Sequence, residues 1–250
     1  MLDVAAYLAR IGYTGVTSPT AETLRGLHRA HMLSVPFENL DIGLGRKIVC
    51  EEDCFIRKIV ERNRGGFCYE MNGAFAALLR ALGFKVTLLS ARVPKEDGTD
   101  GPEFDHLTLR VDLEEPWLAD VGFGDCFIEP LRLRVGEEQQ DSSRKFLITR
   151  EGHDYHLDRT DSEAVRKRQY SFTLIARRLE DFADMCHYHQ TSPESPFTRK
   201  RVCSKATLDG RITVAEDKLI VTRNGEREER TFDSEEERTD ALKRYFSVAV

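Results

Sequence analysis

The chain has no apolar run longer than six residues (74–79), so no segment is long enough to span a bilayer. It also lacks a basic start followed by an apolar stretch, since Asp3 and Arg10 stand near the N-terminus instead. Both absences argue against secretion and against a membrane partner, and for a cytoplasmic location. Positive charge is not in excess: 37 Lys+Arg against 43 Asp+Glu leave a net charge of −6. That balance argues against a nucleic-acid partner and for small-molecule ligands. No CxxC pair occurs among the cysteines at 50, 54, 68, 126, 186 and 203, and a chain of 250 residues needs no disulfide staples, so reduced thiols are expected. Neither GxxxxGK[ST] nor GxGxxG is present, which removes nucleoside triphosphatase and Rossmann readings. Internal repeats and low-complexity tracts are missing as well. What is there, 40% apolar and 32% charged side chains, describes a globular chain with a substantial core.

The pattern divides along the chain. Val4, Leu8 and Ile11 share a helical face. Ser18-Pro19-Thr20 opens a second helix through Leu24, Leu27 and Met32, residues 51–62 read as a third, and a fourth runs from near Phe67 to Gly83. From Phe84 the period shortens to that of strands, expected at 84–93, 104–113, 117–123, 145–150, 155–158 and 169–176, with a polar, mobile loop at 136–143. A helix is expected at 178–188, a break at 192–196, hairpins around Asp209-Gly210 and Asn224-Gly225, and a closing helix at 234–246.

Within Arg64-Gly65-Gly66-Phe67-Cys68-Tyr69-Glu70, a thiol stands just after two glycines, in the first turn of a helix. Unpaired N–H groups and the positive end of the macrodipole lie there, and both favour thiolate. Taken alone, Cys68 also fits the commonest fate of such a residue, a small buried hydrophobe. A partner base decides between the two. His106 leads the strand that starts near 104, and a hairpin turn through Glu114-Glu115-Pro116 joins it to the next. Pairing centred near 113 puts His106 opposite Asp120, with Leu107, Leu109, Trp117 and Ala119 together on the other face. A carboxylate beside an imidazole holds its tautomer and supports its cation, the orienting role in a nucleophile, base and acid triad. A structural histidine is the plainer alternative.

These runs, together with Val35-Pro36-Phe37-Glu38-Asn39-Leu40, Asp120-Val121-Gly122-Phe123-Gly124 and Ser195-Pro196-Phe197-Thr198, resemble the arylamine N-acetyltransferase family, in order from near the N-terminus to about residue 200. The resemblance implies an α+β fold with a cysteine-protease-like core: a helical bundle (1–83) carrying the nucleophile, a β-barrel (84–190) carrying base and acid, and an α/β lid (191–250). It carries over Cys68 as nucleophile, His106 as base and Asp120 as orienting acid. It also implies an aromatic wall for the amine from Phe37, Phe123 and Phe197, any of which is equally at home in a core. Gly122 and Gly124 leave room for a pantetheine or pyrophosphate beside the backbone, or simply turn the chain. Thr198, Arg199 and Lys200, with Arg201 and Lys205, form a basic cluster, suited to coenzyme phosphates or to plain solvation.

The expected activity is acetyl transfer from acetyl-CoA, as co-substrate, to arylamines and arylhydrazines through an acetyl-cysteine. A cysteine hydrolase or a transglutaminase-like acyl transferase has the same triad, and a non-catalytic binding module is the reading from a different class; the oligomeric state is left open. No metal is expected. Cys186-His187-Tyr188-His189 lie on a helix whose neighbours point about 100° apart, and His28 and His31 lack a third ligand.

Overall fold

Asp3 accepts a hydrogen bond from the Ala6 N–H and Gly12 closes the other end in the left-handed region (φ +67°), which sets the limits of α1 (Val4–Ile11). Thr20, accepting from the Thr23 N–H, does the same for α2 (Ala21–Ser34). The computed structural model describes residues 2–141, 144–160 and 165–249. After α2 come β1 (Phe37–Glu38), α3 (Leu40–Gly43) and α4 (Glu52–Ile56), which a π-helical turn continues through Arg57–Glu61. The third expected helix is thus present with a change of pitch. The fourth is α5 (Cys68–Ala81), buried along most of its length. Its run of apolar side chains on every face suits a helix enclosed on all sides.

The strands β2 (Lys85–Arg92), β3 (His106–Asp112), β4 (Pro116–Ala119), β5 (Leu131–Arg132), β6 (Glu138–Asp141), β7 (Arg144–Glu151), β8 (Asp154–Thr160) and β9 (Arg166–Phe172) form one antiparallel sheet in the order β5-β4-β3-β2-β9-β8-β7-β6. The two edges are neighbours in sequence. The Gln139 carboxamide joins them, accepting from the Arg132 N–H and donating to its carbonyl, both at 2.8 Å, as a strand partner would. Leu107, Leu109, Val111, Trp117 and Ala119 pack toward the helices, whereas Leu89, Leu118, Phe146, Ile148, Leu157, Tyr170 and Phe172 form a separate core of the curled sheet.

Several boundaries differ from the sequence reading. The strand expected at 117–123 ends at Ala119, because Val121 leaves the ladder to donate to Asn72 on α5. Residues 138–141 of the polar stretch are an edge strand paired with β7; Ser142 and Ser143 lie outside the described residues. Edge strands tolerate polar side chains on both faces, which hides them from a periodicity argument. The last strand of the barrel runs over Arg166–Phe172 instead of 169–176. The β3/β4 pairing sets Leu109 against Ala119 and Asp112 against Pro116, so it is centred at 114, one residue beyond the expected 113. Moving the centre by one residue changes the partner of each residue by two. Faces are therefore kept, and His106 and Asp120 still share one.

A short 3₁₀ turn (Leu179–Phe182) leads into α6 (Ala183–Thr191), and Ser195 caps α7 (Pro196–Arg199). A second sheet follows, of β10 (Val202–Thr207), β11 (Gly210–Ala215), β12 (Lys218–Arg223) and β13 (Glu226–Thr231), with turns at the expected Asp209-Gly210 and Asn224-Gly225. Its first position is filled by β1, so the N-terminal third supplies a strand to the C-terminal sheet. The closing helix α8 (Glu235–Phe246) packs on that sheet. Among the described residues no helix is long and apolar enough to cross a membrane.

Candidate active site

Cys68 is the first residue of α5 and is buried (3% exposed). The preceding glycines have a geometric reason: a Cβ on Gly65 would lie 1.8 Å from the Pro36 carbonyl oxygen. That contact lays the Val35–Leu40 run against the start of the helix, where the Glu38 N–H donates to the Gly66 carbonyl. Beneath them is a buried charge cluster. Lys58 and Arg64 face Glu38, Asp41 and Glu70, with Lys58 Nζ at 2.8 Å from Asp41 and 2.9 Å from Glu70, and Arg64 at 2.8 Å from Glu38. Three carboxylates meet two cations, and burial pushes Glu70 up to about 7 even with Lys58 beside it. Glu70 also accepts from the Phe67 N–H, which satisfies a free donor at the helix start.

His106 opens β3, and its Nε2 lies 2.7 Å from Asp120 Oδ2, with both side chains buried. This leaves Nδ1 as the ring nitrogen for proton exchange. Asp120 Oδ1 accepts from Asn72 Nδ2 (2.8 Å) and from the Gly122 N–H (3.0 Å). Burial alone would raise the Asp120 carboxyl, but the His106 ring, the Asn72 amide and the Gly122 N–H together hold it below its ordinary value. Behind it, His28 Nε2 accepts from the Asp120 N–H (3.1 Å), so Nδ1 carries the ring proton and donates to the Ile128 carbonyl (2.6 Å). Burial pushes His28 down to about 4, which keeps that acceptor available at neutral pH.

The Cys68 thiol lies within hydrogen-bond reach of the N–H of Leu107, the residue after His106. Burial pushes the thiol well up, the Leu107 N–H draws it back, the Asp105 and Asp120 carboxylates push it further, and the Tyr69 N–H opposes them. Desolvation is the largest of these influences, so the helix start alone does not yield the thiolate, in keeping with the need for a partner base.

Asn72, one turn after Cys68, was not singled out from the sequence. It donates to the Leu107 carbonyl (2.6 Å) and to Asp120, and it accepts from the Val121 N–H (2.9 Å). One amide thus ties the helix of the nucleophile to the strand of the base and the loop of the acid. Its signal was a polar side chain four residues from Cys68 on a mostly apolar helix. Tyr170 was also overlooked; its ring stands 5.1 Å from His106 and 5.2 Å from Phe123.

Of the three phenylalanines read as an aromatic wall, Phe37 and Phe197 are in contact, with ring centroids 6.2 Å apart, and Phe67 stands edge-on to Phe197 at 5.7 Å. Phe123 instead packs edge-on against the His106 ring at 5.1 Å. Asn39 holds the turn carrying Phe197 by donating to the Phe197 (3.0 Å) and Lys200 (2.7 Å) carbonyls. The space beside Gly122 is filled, since a Cβ there would meet Asn72 Nδ2 at 2.7 Å and Cys68 Cα at 2.9 Å. Gly124 (φ +86°) faces the Phe37 ring, with 3.6 Å from an added Cβ. Thr198 is engaged locally, donating to the Ser192 and Ser195 carbonyls, and Arg199 donates to the Glu194 carbonyl; Lys200 is exposed. All six cysteines are free, and among the described residues no three metal-ligating side chains converge.

An N-acetyltransferase family model matches residues 20–250. The arylamine N-acetyltransferase of Mycolicibacterium smegmatis is 35% identical over 257 aligned positions, covering 99% of this chain and 92% of that protein. Human arylamine N-acetyltransferase 1 is 34% identical over 84% of this chain and 79% of its own length. Among solved structures, the Mycobacterium marinum arylamine N-acetyltransferase in complex with CoA superposes with a TM-score of 0.92 at 30% identity, covering 98% of this chain and 93% of that one. The M. smegmatis enzyme gives 0.92 at 34% identity, covering 99% and 93%.

Proposed function

The chain belongs to the arylamine N-acetyltransferase family, and on that premise we propose that it moves an acetyl group from acetyl-CoA to the nitrogen of arylamines and arylhydrazines through an acetyl-cysteine. The observation that carries the mechanism is the buried His106–Asp120 pair at 2.7 Å, with the Cys68 thiol beside the strand that bears His106. In the first half-reaction Cys68 gives its proton to His106 Nδ1 and Sγ attacks the thioester carbonyl. The carbon–sulfur bond to CoA breaks, and CoA leaves as the thiol with the proton from His106. In the second, the amine nitrogen attacks the acetyl carbon, the Cys68 carbon–sulfur bond breaks, and the amine proton returns by way of His106 to Cys68. Asp120, held ionised, supports the imidazolium formed in each half.

Phe37, Phe197 and Phe67 offer ring faces and edges to a flat acceptor, and Phe123 steadies the His106 ring at the same mouth. The nucleophile belongs to the helical part (1–83), base and acid to the barrel (84–190), and the lid (191–250) brings Phe197 to the site. Gly124, and the exposed Arg199 and Lys200 at the rim, remain the groups for the phosphate end of the coenzyme. Six free thiols suit action in the cytoplasm. Intact-protein mass spectrometry after mixing with acetyl-CoA and no amine is expected to show one acetyl adduct, mapped to Cys68 and discharged by an arylamine. An adduct on any other cysteine, or turnover of a peptide amide with no turnover of acetyl-CoA, would assign the chain to a different reaction.

A further inference from the structure

The loop between β4 and β5, from Asp120 to Pro130, carries the triad acid, the Phe123 ring that packs against His106, and Gly124 facing Phe37. It contains no helix or strand. Among the described residues a single backbone-to-backbone hydrogen bond falls within it, from the Asp125 N–H to the Phe123 carbonyl (3.2 Å). A buried segment of this kind takes its shape from side chains that reach its N–H and C=O groups from elsewhere. Asn72 accepts from the Val121 N–H, Asp141 accepts from the Ile128 N–H, and Arg159 donates to the Asp125 carbonyl. Each of these meets the loop backbone at one point.

His28, on α2, meets it at two. Its Nε2 accepts from the Asp120 N–H (3.1 Å) and its Nδ1 donates to the Ile128 carbonyl (2.6 Å), so one ring fastens the first residue of the loop to its far end. A backbone N–H only donates and a carbonyl only accepts, and a neutral ring with its proton on Nδ1 satisfies both. The ring has no exposed surface; Phe127, from the same loop, stacks on it with centroids 5.5 Å apart, and Phe75 of α5 stands edge-on at 5.9 Å. The adjacent residues Arg29 and Glu129 pair across the same junction at 3.4 Å, but both side chains reach solvent, where such a pair contributes little.

We propose that His28 is a positioning residue, a neutral clasp that ties Asp120 to Ile128 and thereby holds the Asp120 carboxylate on His106 Nε2 and the Phe123 ring against the same imidazole. The proposal rests on the reading of His106 and Asp120 as base and acid, and it deepens that reading by assigning the aim of the acid to a side chain on α2, which touches neither the thiol nor the base.

Two variants separate a clasp from a filler of the core. His28→Gln keeps an amide oxygen for the Asp120 N–H and an amide N–H for the Ile128 carbonyl, and loses the ring. His28→Phe keeps a ring beside Phe127 and Phe75, and loses both hydrogen bonds. Acetylation of Cys68 in a single turnover is followed by mass spectrometry over a range of acetyl-CoA concentrations. His28→Phe is expected to lower the limiting rate by about 10- to 100-fold, the scale of a catalytic group displaced by about 1 Å or less, while His28→Gln stays within about fivefold of the parent. The half-saturating acetyl-CoA concentration should change less than the rate in both. A His28→Phe protein as fast as the parent, a His28→Gln protein slowed as much as His28→Phe, or a loss confined to half-saturation overturns the proposal. Should either variant fail to fold, nitrogen-15 NMR of the parent decides: a neutral His28 ring with its proton on Nδ1 at pH 7 supports the clasp, and a proton on Nε2 refutes it. The ring is read without acetyl-CoA, so failure of the clasp and failure of the acetyl-transfer reading are seen in different experiments.

Discussion

Asn72→Leu replaces the central amide of the site by an apolar side chain of similar size. Three hydrogen bonds disappear: one to the Asp120 carboxylate at 2.8 Å, one to the Leu107 carbonyl at 2.6 Å and one from the Val121 N–H at 2.9 Å. All three partners are buried. A bond to a charged group contributes about 1.5 to 3 kcal/mol and each backbone partner left unpaired about 1 or more, so the loss is about 4 kcal/mol of unfolding free energy. Urea denaturation at pH 7 measures it. Activity should fall further than the fold does, because Asp120 loses one of the donors that hold its carboxyl ionised. In single-turnover kinetics both half-reactions should slow together, with the pH dependence of Cys68 acetylation moved upward. A variant that loses less than about 1 kcal/mol and acetylates Cys68 at the parent rate and pH would refute the role given to this amide.

Asp120→Asn should stay folded while acetyl transfer falls by about 10³ to 10⁴-fold, as carboxylate removal does in serine triads; a folded, fully active variant would make the carboxylate structural. His106→Gln removes the proposed proton acceptor of Cys68, whose thiol burial pushes well up, so alkylation of that thiol should begin only above about pH 8.5, the free-thiol value; a profile matching the parent would exclude His106 as its partner. Glu70 binds its proton more tightly folded (about 7) than unfolded (4.5), so its contribution favours the fold below pH 4.5 and is lost as pH rises through 7. Glu70→Gln should remove that decline, at most about 3 kcal/mol, and urea midpoints from pH 4.5 to 8 with equal slopes in both proteins would contradict it. Phe197→Ala should weaken the second half-reaction for aryl acceptors by about 1 to 3 kcal/mol and leave Cys68 acetylation nearly unchanged. Phe123→Ala, because that ring touches His106, should slow both halves; the reverse pattern would exchange the two roles.

The helices and most strands were legible because each has a local cause. Thr20 and Ser234 cap helices wherever the rest of the chain goes, Gly12 and Gly225 adopt the left-handed conformations that end a helix and turn a hairpin, and the alternation in 106–112 sends apolar side chains to one face in any context. Face parity also survived the misplaced turn, which is why His106 and Asp120 emerged as partners although they are not directly opposite. Cys68 was visible for the same kind of reason, as a thiol at a glycine-preceded helix start. The tertiary structure decided what depends on distance through space instead of along the chain. Only there does Asn72 meet Leu107, Asp120 and Val121, does His28 take the Asp120 N–H from 92 residues away, and does Gln139 join two barrel edges. The protonation state of Cys68 belongs to the same class: the local helix start favours the thiolate, and burial, which no stretch of sequence expresses, opposes it.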